Sequence, residues 1–230
     1  MPTPPLKLIS SMATRALLTD LIAHCQIGAD QPASSEAVGG LDVAKRVRAG
    51  EAFDIVVLAS NVIDQLIAEG HLVAGSRVDL VQSGVAIAVA AGAAQPDIST
   101  EAAVKQAVLN APSLSYSTGP SGVALVKLFE RWGIADAVAA RTVQAPPGVP
   151  VGSLVAEGRV ALGFQQLSEL MNLPGITVLG PLPPAIQTLT TFSAGLAVAS
   201  AHPQAVRALL AHWAAPGTAQ IKRDNGMAPA

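Results

Sequence analysis

The chain has 230 residues, 50% of them apolar, and a mean hydropathy of +0.46, which is enough to fill one large core or two small ones and excludes a disordered chain. Charged residues make up 13%, the formal net charge is -2, and one Tyr, two Trp and four Phe are the whole aromatic complement; with no basic field and few rings to stack on bases, nucleic acid is not an expected partner. The single Cys25 excludes an internal disulfide and a multi-cysteine metal site.

The N-terminus, M-P-T-P-P-L-K-L-I-S-S-M, has no cationic start followed by a long apolar run, so no export signal is read in it. The expectation is a cytoplasmic protein as the chain stands, and a periplasmic one if a signal has been removed. The most apolar stretch, Val85 to Ala94, is far shorter than the roughly 20 residues that span a bilayer, so the chain is not expected to be membrane-spanning.

Leu6 to Ser10 reads as a strand and Ala13 to Cys25 as a helix, because Ala13, Leu17, Leu18, Leu21 and Ile22 recur at helical spacing. Cys25 is expected as a packed thiol on that helix. A polar stretch containing Ser34, Ser35, Gly39 and Gly40 leads to a helix over Leu41 to Ala49, stopped by Gly50. Its Lys45, Arg46 and Arg48 form a wet face, since Val43, Ala44 and Val47 take the inner one. Phe53 to Leu58 reads as a buried strand, followed by a helix over Val62 to Glu69 with Ser60 or Asn61 as its cap. Alternation of strand and helix predicts a parallel sheet covered on both faces.

Arg77 to Ala91 is a long β-branched run interrupted by Ser83 and Gly84, and Thr188 to Ser200 is a second run with a Ser/Gly interruption. Strands broken by small residues suit a chain that crosses from one lobe to another and back. Between them lie a helix over Glu101 to Asn110, a strand over Leu114 to Ser117, a helix over Ser121 to Gly133, a strand over Ala140 to Gln144, a helix over Val151 to Glu157 and a strand over Val160 to Phe164. A last helix, Pro203 to Trp213, turns Ala205, Leu209, Leu210 and Trp213 toward the first lobe. The expected architecture is α/β: two Rossmann-like lobes joined by two crossing strands, with residues 1–82 and 188–230 in lobe 1, 83–187 in lobe 2, and a ligand cleft between them.

The segment Ser113 to Gly133, S-L-S-Y-S-T-G-P-S-G-V-A-L-V-K-L-F-E-R-W-G, carries the clearest chemistry. A strand runs through a Gly/Pro/Ser turn into an amphipathic helix, so backbone N–H groups, the hydroxyls of Ser117, Thr118 and Ser121, and the positive end of a helix dipole meet at one point. Gly119 and Gly122 let a small anion approach the backbone, and Pro120 preorganises the turn. The plainer reading of the same residues is an ordinary helix N-cap. His24, His71, His202 and His212 are dispersed, and none has a second metal-type ligand at helical spacing apart from carboxylates at loose spacing, so no metal site is expected. No P-loop spacing or G-x-S-x-G elbow occurs, and no cofactor is expected.

Taken together, L-K-L-I-S-S-M-A-T-R-A-L, V-A-K-R-V-R-A-G-E-A-F-D-I-V-V-L, S-G-V-A-I-A-V-A-A-G, Y-S-T-G-P-S-G and V-A-L-G-F-Q-Q-L-S-E-L resemble the type II periplasmic binding proteins of the molybdate-binding branch over nearly the whole chain. The resemblance implies a hinge-closing clamp whose ligand is held by backbone amides and hydroxyls at helix starts. On this chain it implies Ser10 and Ser11, the Gly39 and Gly40 loop, Ser117 to Gly122, and the G-V-P-V turn around Val149. Two departures point away from molybdate: Gly39, Gly40, Leu41 and Asp42 stand where molybdate binders put a Ser, and Phe164, Gln165 and Gln166 where they put a Tyr. Arg15, one turn past Ser11, is a candidate bidentate partner for a carboxylate, and Gln165 or Gln166 for a second polar group; the plainer reading of Arg15 is a solvated helix residue.

A small anionic solute, an organic carboxylate in preference to molybdate, is therefore the expected ligand, with an ABC permease as partner if the chain is exported. The fold also resembles that of aconitate isomerase, which implies an alternative: an intracellular isomerase that moves a proton and a double bond in an unsaturated di- or tricarboxylate. That chemistry needs a proton carrier. Tyr116, alternating with Ser115 and Ser117, is expected in the core, which leaves no evident acid or base in the sequence.

Overall fold

Leu6, Leu8 and Ile9 give the first strand, β1 (Leu6–Ser11), buried side chains on both faces, the pattern of an interior strand of a parallel sheet. The computed structural model describes residues 5–25 and 32–230. A 3-10 turn at Met12–Thr14 leads from β1 into α1 (Arg15–Cys25), followed by β2 (Ala33–Val38), α2 (Gly40–Arg48), β3 (Ile55–Ala59), α3 (Ser60–Ala68) and the long β4 (Val78–Ala90). Next come α4 (Glu101–Asn110), β5 (Leu114–Tyr116), α5 (Pro120–Arg131), α6 (Ala135–Ala139), β6 (Thr142–Gln144), α7 (Val151–Ala156), β7 (Leu162–Gln166), α8 (Leu167–Leu170) and β8 (Ile176–Pro181). The chain finishes through β9 (Leu189–Leu196), α9 (Pro203–Ala214), α10 (Ala219–Asp224) and β10 (Ala228–Pro229). This is the α/β class the sequence leads one to expect.

One unit is made of the chain up to Gln82 together with Thr191–Ala230, the other of Ser83–Thr190. In the first, the strand order is β2-β1-β3-β9-β4, with β10 on β4. β1 is parallel to β2 and β3, while β9 runs antiparallel to β3 and β10 antiparallel to β4. The sheet is thus mixed where a parallel one was expected, because the returning strand enters against its neighbour. Alternation along β3 sorts the core into two layers. Ile55 and Val57 pack with Leu8, Leu17, Leu21, Leu210 and Trp213, whereas Val56 and Leu58 pack with Ile9, Val43, Val47, Ile63 and Leu66.

The second unit orders its strands β4-β7-β5-β6, with β8 on β4. β5 is parallel to β6 and β7, and β4 is antiparallel to β7 and β8. Val85, Ile87 and Val89 face the cluster of Leu125, Phe129 and Phe164, and the alternating Ala86 and Ala88 face Leu170. β4 is unbroken through Ser83 and Gly84, so these residues do not interrupt the strand as expected. Gly84 instead makes room for Gln187, whose amide a Cβ there would approach to 2.9 Å and which accepts from Val85 N at 2.9 Å. Ser193 in β9 donates to Asp79 at 2.6 Å, and Gly195 gives space to Leu72.

Other expectations shift. The 34–40 stretch, read as polar loop, contains β2, and residues 140–144, read as a strand, follow the short helix α6 and contain β6. Ala59 is the N-cap of α3, so Ser60 and Asn61 are helical residues and not its caps. No helix among the described residues is long and apolar enough to cross a membrane.

Candidate functional site

The parallel strands of the first unit end in register, Ser11 beside Val38 and Ser10 beside Val57, and each runs straight into a helical turn. The starts of the Met12–Thr14 turn, α2 and α3 therefore lie along one sheet edge, the carboxyl edge at which open α/β sheets bind ligands. None of the three starts is capped by a side chain, so their first N–H groups have no intrahelical acceptor.

Ser10 and Ser11 are both buried but differ in their bonding. Ser10 Oγ donates to Ser11 O at 3.2 Å, as does Thr14 Oγ1, whereas Ser11 Oγ is buried without a partner. Gly40, the first residue of α2, lies against Ser11: a Cβ built on it would stand 3.8 Å from Ser11 Cβ, an ordinary contact. Gly39 is the N-cap and accepts from Val43 N at 3.0 Å. Arg15 opens α1 with an exposed side chain that makes no hydrogen bond or ion pair among the described residues. Asp42 is exposed in the first turn of α2. The structure thus brings Ser11, Gly39 and Gly40 together, and it leaves Arg15 four residues along the chain with a guanidinium that has no partner among the described residues.

The second unit repeats the arrangement. Tyr116 pairs with Gln144 and with Phe164, which aligns the starts of α5, α7 and α8 along one edge. Ser117 Oγ lies 3.1 Å from Ser121 Oγ and accepts from Gly119 N at 3.2 Å. Thr118 follows in the same turn, half-buried. Gly119 is the N-cap of α5 and Pro120 its first residue. Gly122 is sterically obligatory, since a Cβ on it would fall 1.8 Å from Ser117 O. Tyr116 packs against the core of this unit, as expected, and Ser115 is fully buried with an unpartnered hydroxyl.

Val149 N closes a turn on Pro146 O at 3.0 Å. Gln165 is buried and both ends of its amide are engaged: Oε1 accepts from Val151 N at 2.8 Å, capping α7, and Nε2 donates to Glu169 Oε1 at 2.7 Å. Gln166 turns to the other side, its amide within 3.0 Å of Thr190 Oγ1; with the oxygen toward Thr190, its NH2 donates to Ser83 Oγ at 2.9 Å. The group that sequence reasoning missed is Glu169. Desolvation holds its carboxyl up at about 7, against the lowering effect of the Gln165 hydrogen bond. Its only sequence signal is the i, i+4 spacing from Gln165 directly after an apolar strand.

A family model described as bacterial extracellular solute-binding protein matches residues 6–228. An aconitate isomerase from Pseudomonas sp. is 40% identical over 188 residues, which is 81% of this chain and 71% of that protein. Among solved structures, the periplasmic molybdate-binding protein of Azotobacter vinelandii superposes with a TM-score of 0.79 at 18% identity, covering 96% of this chain and 98% of that one. The sulfate-binding protein SubI from Mycobacterium tuberculosis gives 0.77 at 13% identity, covering 98% and 86%. At such identities the structural likeness is one of fold.

Proposed function

The chain belongs to the bacterial extracellular solute-binding protein family, and from that premise we propose that it binds a small unsaturated polycarboxylate and isomerises it, as an aconitate isomerase. The observation that carries this reading is the 40% identity to an enzyme of that name over 81% of the chain. Each unit offers a donor set of its own to such a solute: Ser11 with Gly39 and Gly40 in one, and Ser117, Thr118, Ser121 and Gly122 in the other. Arg15 supplies the charge for a carboxylate, which suits its planar fork better than a monatomic anion does.

Moving a double bond by one carbon breaks a C–H bond on one side, turns its electron pair into the new C=C, and returns a proton to the far carbon of the old one. Atoms and charge balance with a single group that accepts and then donates a proton. An ordinary glutamate is too acidic to hold a proton near neutrality, but a carboxyl held at about 7 exchanges one readily. Glu169, joined through Gln165 to the start of α7 on the sheet edge that also carries the turn before α5, is the carrier we assign.

A second reading is favoured by the family match over residues 6–228: a receptor that captures the same solute and hands it to an ABC permease. Proton NMR of cis- and trans-aconitate with the protein in D2O separates the two. Interconversion with deuterium incorporation establishes the isomerase; tight binding of an unchanged, unlabelled acid removes it and leaves the receptor.

A further inference from the structure

We propose that His24, Cys25 and His212 form a binding site for a divalent transition-metal ion of the zinc type, distinct from the solute site. His24 and Cys25 end α1 and His212 lies near the end of α9, so the fold of one unit joins residues from opposite ends of the chain. One imidazole nitrogen from each histidine and the Cys25 sulfur all lie within 4.8 Å of one another. The imidazoles stack, with centroids 5.7 Å apart and planes 27° from parallel, and neither makes a hydrogen bond or ion pair among the described residues that a metal would have to break. No spacing rule finds such a trio, because its third member comes from a helix at the far end of the sequence.

The chemistry of the donors selects the ion. Two imidazole nitrogens and a thiolate suit zinc, cobalt or copper and are poor ligands for magnesium or calcium. Tetrahedral zinc, with bonds of about 2.0 to 2.3 Å, needs its ligand atoms about 3.3 to 3.8 Å apart, so closing the trio takes rotations of roughly 1 Å. Both histidines are exposed and free to make them. Three protein ligands leave a fourth position to water.

A second feature points into the same place. The indole of Trp213 is fully buried and its Nε1–H lacks a hydrogen bond of normal geometry, yet it faces the Cys25 thiol, where it favours the thiolate while burial pushes the thiol up. A metal ion would turn that sulfur into a full acceptor for the indole, satisfying a donor that is otherwise an uncompensated cost in the core. Occupancy would tie the end of α1 to α9 and stabilise the unit by linkage.

The test is titration of the reduced, tag-free chain with Co2+. The expected result is a thiolate-to-cobalt charge-transfer band that saturates at one equivalent and is displaced by Zn2+, together with a higher Tm in Zn2+ and slower modification of Cys25 by a thiol reagent. His24→Ala and His212→Ala should each weaken Co2+ binding at least tenfold while leaving the metal-free Tm unchanged, as both side chains are exposed. Absence of the band at excess Co2+, or wild-type affinity in both histidine variants, overturns the proposal. Because none of these readouts involves aconitate, failure here leaves the solute-binding reading untouched, and failure of that reading leaves the metal site standing.

Discussion

Ser10 and Ser11 are neighbours with the same side chain and opposite situations. Strand alternation sends them to different faces, and Ser10 satisfies itself on a carbonyl while Ser11 keeps an unpartnered hydroxyl at the end of β1. A buried hydroxyl without a partner costs about 1 to 3 kcal/mol, a cost that a ligand oxygen would relieve. Glu169 stands in a comparable position, since its desolvated carboxyl is most stable neutral. The sign follows from linkage. A carboxyl raised from 4.5 to about 7 holds its proton more tightly in the folded state, so its contribution is most favourable below pH 4.5 and declines as pH rises toward 7. Glu169→Gln is expected to flatten that part of the Tm-against-pH curve. In the isomerase reading it also lowers kcat by at least about 100-fold with KM little changed; unaltered kcat and an unaltered pH–rate profile would remove Glu169 from the chemistry.

At the scale of elements, the turn before α5 depends on one missing methyl group. A Cβ at Gly122 would overlap Ser117 O, whereas one at Gly119 would sit 3.4 Å from Ser117 Oγ. Gly122→Ala should therefore displace the first turn of α5 and cost about 1 to 3 kcal/mol, as overpacking does, seen as a Tm lower by roughly 2 to 12 °C. Gly119→Ala should stay close to the parent; equal melting of the two would show that the turn has slack the geometry denies.

This turn, α4 and the two-sided strand β3 were legible in the sequence because each carries a local rule: Ser/Gly/Pro before an amphipathic run, helical spacing, an unbroken apolar stretch. β2 was not, since A-S-S-E-A-V has no buried face and owes its strand to pairing with β1 alone. Nor was the role of Gln165, which reads as a free polar group in the sequence but caps α7 across fourteen residues. Glu169 and the His24, Cys25, His212 trio escaped for the same reason, because desolvation and long-range proximity leave no trace in spacing.

For the whole molecule, each of the two units holds its own set of neutral donors, and variants in each show which set a solute uses. Neither set carries a net charge of its own in its hydroxyls and amides, so affinity has to come from many weak, directed hydrogen bonds added to Arg15. Each neutral hydroxyl then contributes modestly, about 0.5 to 1.5 kcal/mol or 2- to 12-fold in Kd. Ser11→Ala, in the first unit, should weaken binding of an aconitate isomer by that factor in calorimetry and Arg15→Ala by more, and Ser121→Ala, in the second, should do the same where its own set holds that solute. Coupling adds a sharper criterion: if one solute draws on both sets, losing a donor in one unit lets it settle differently against the other. The double variant should then depart from the sum of the singles by a few tenths of a kcal/mol or more. A Ser121→Ala variant that binds like the parent, while Ser11→Ala does not, would confine the solute to the first unit and leave the turn before α5 as an ordinary helix cap.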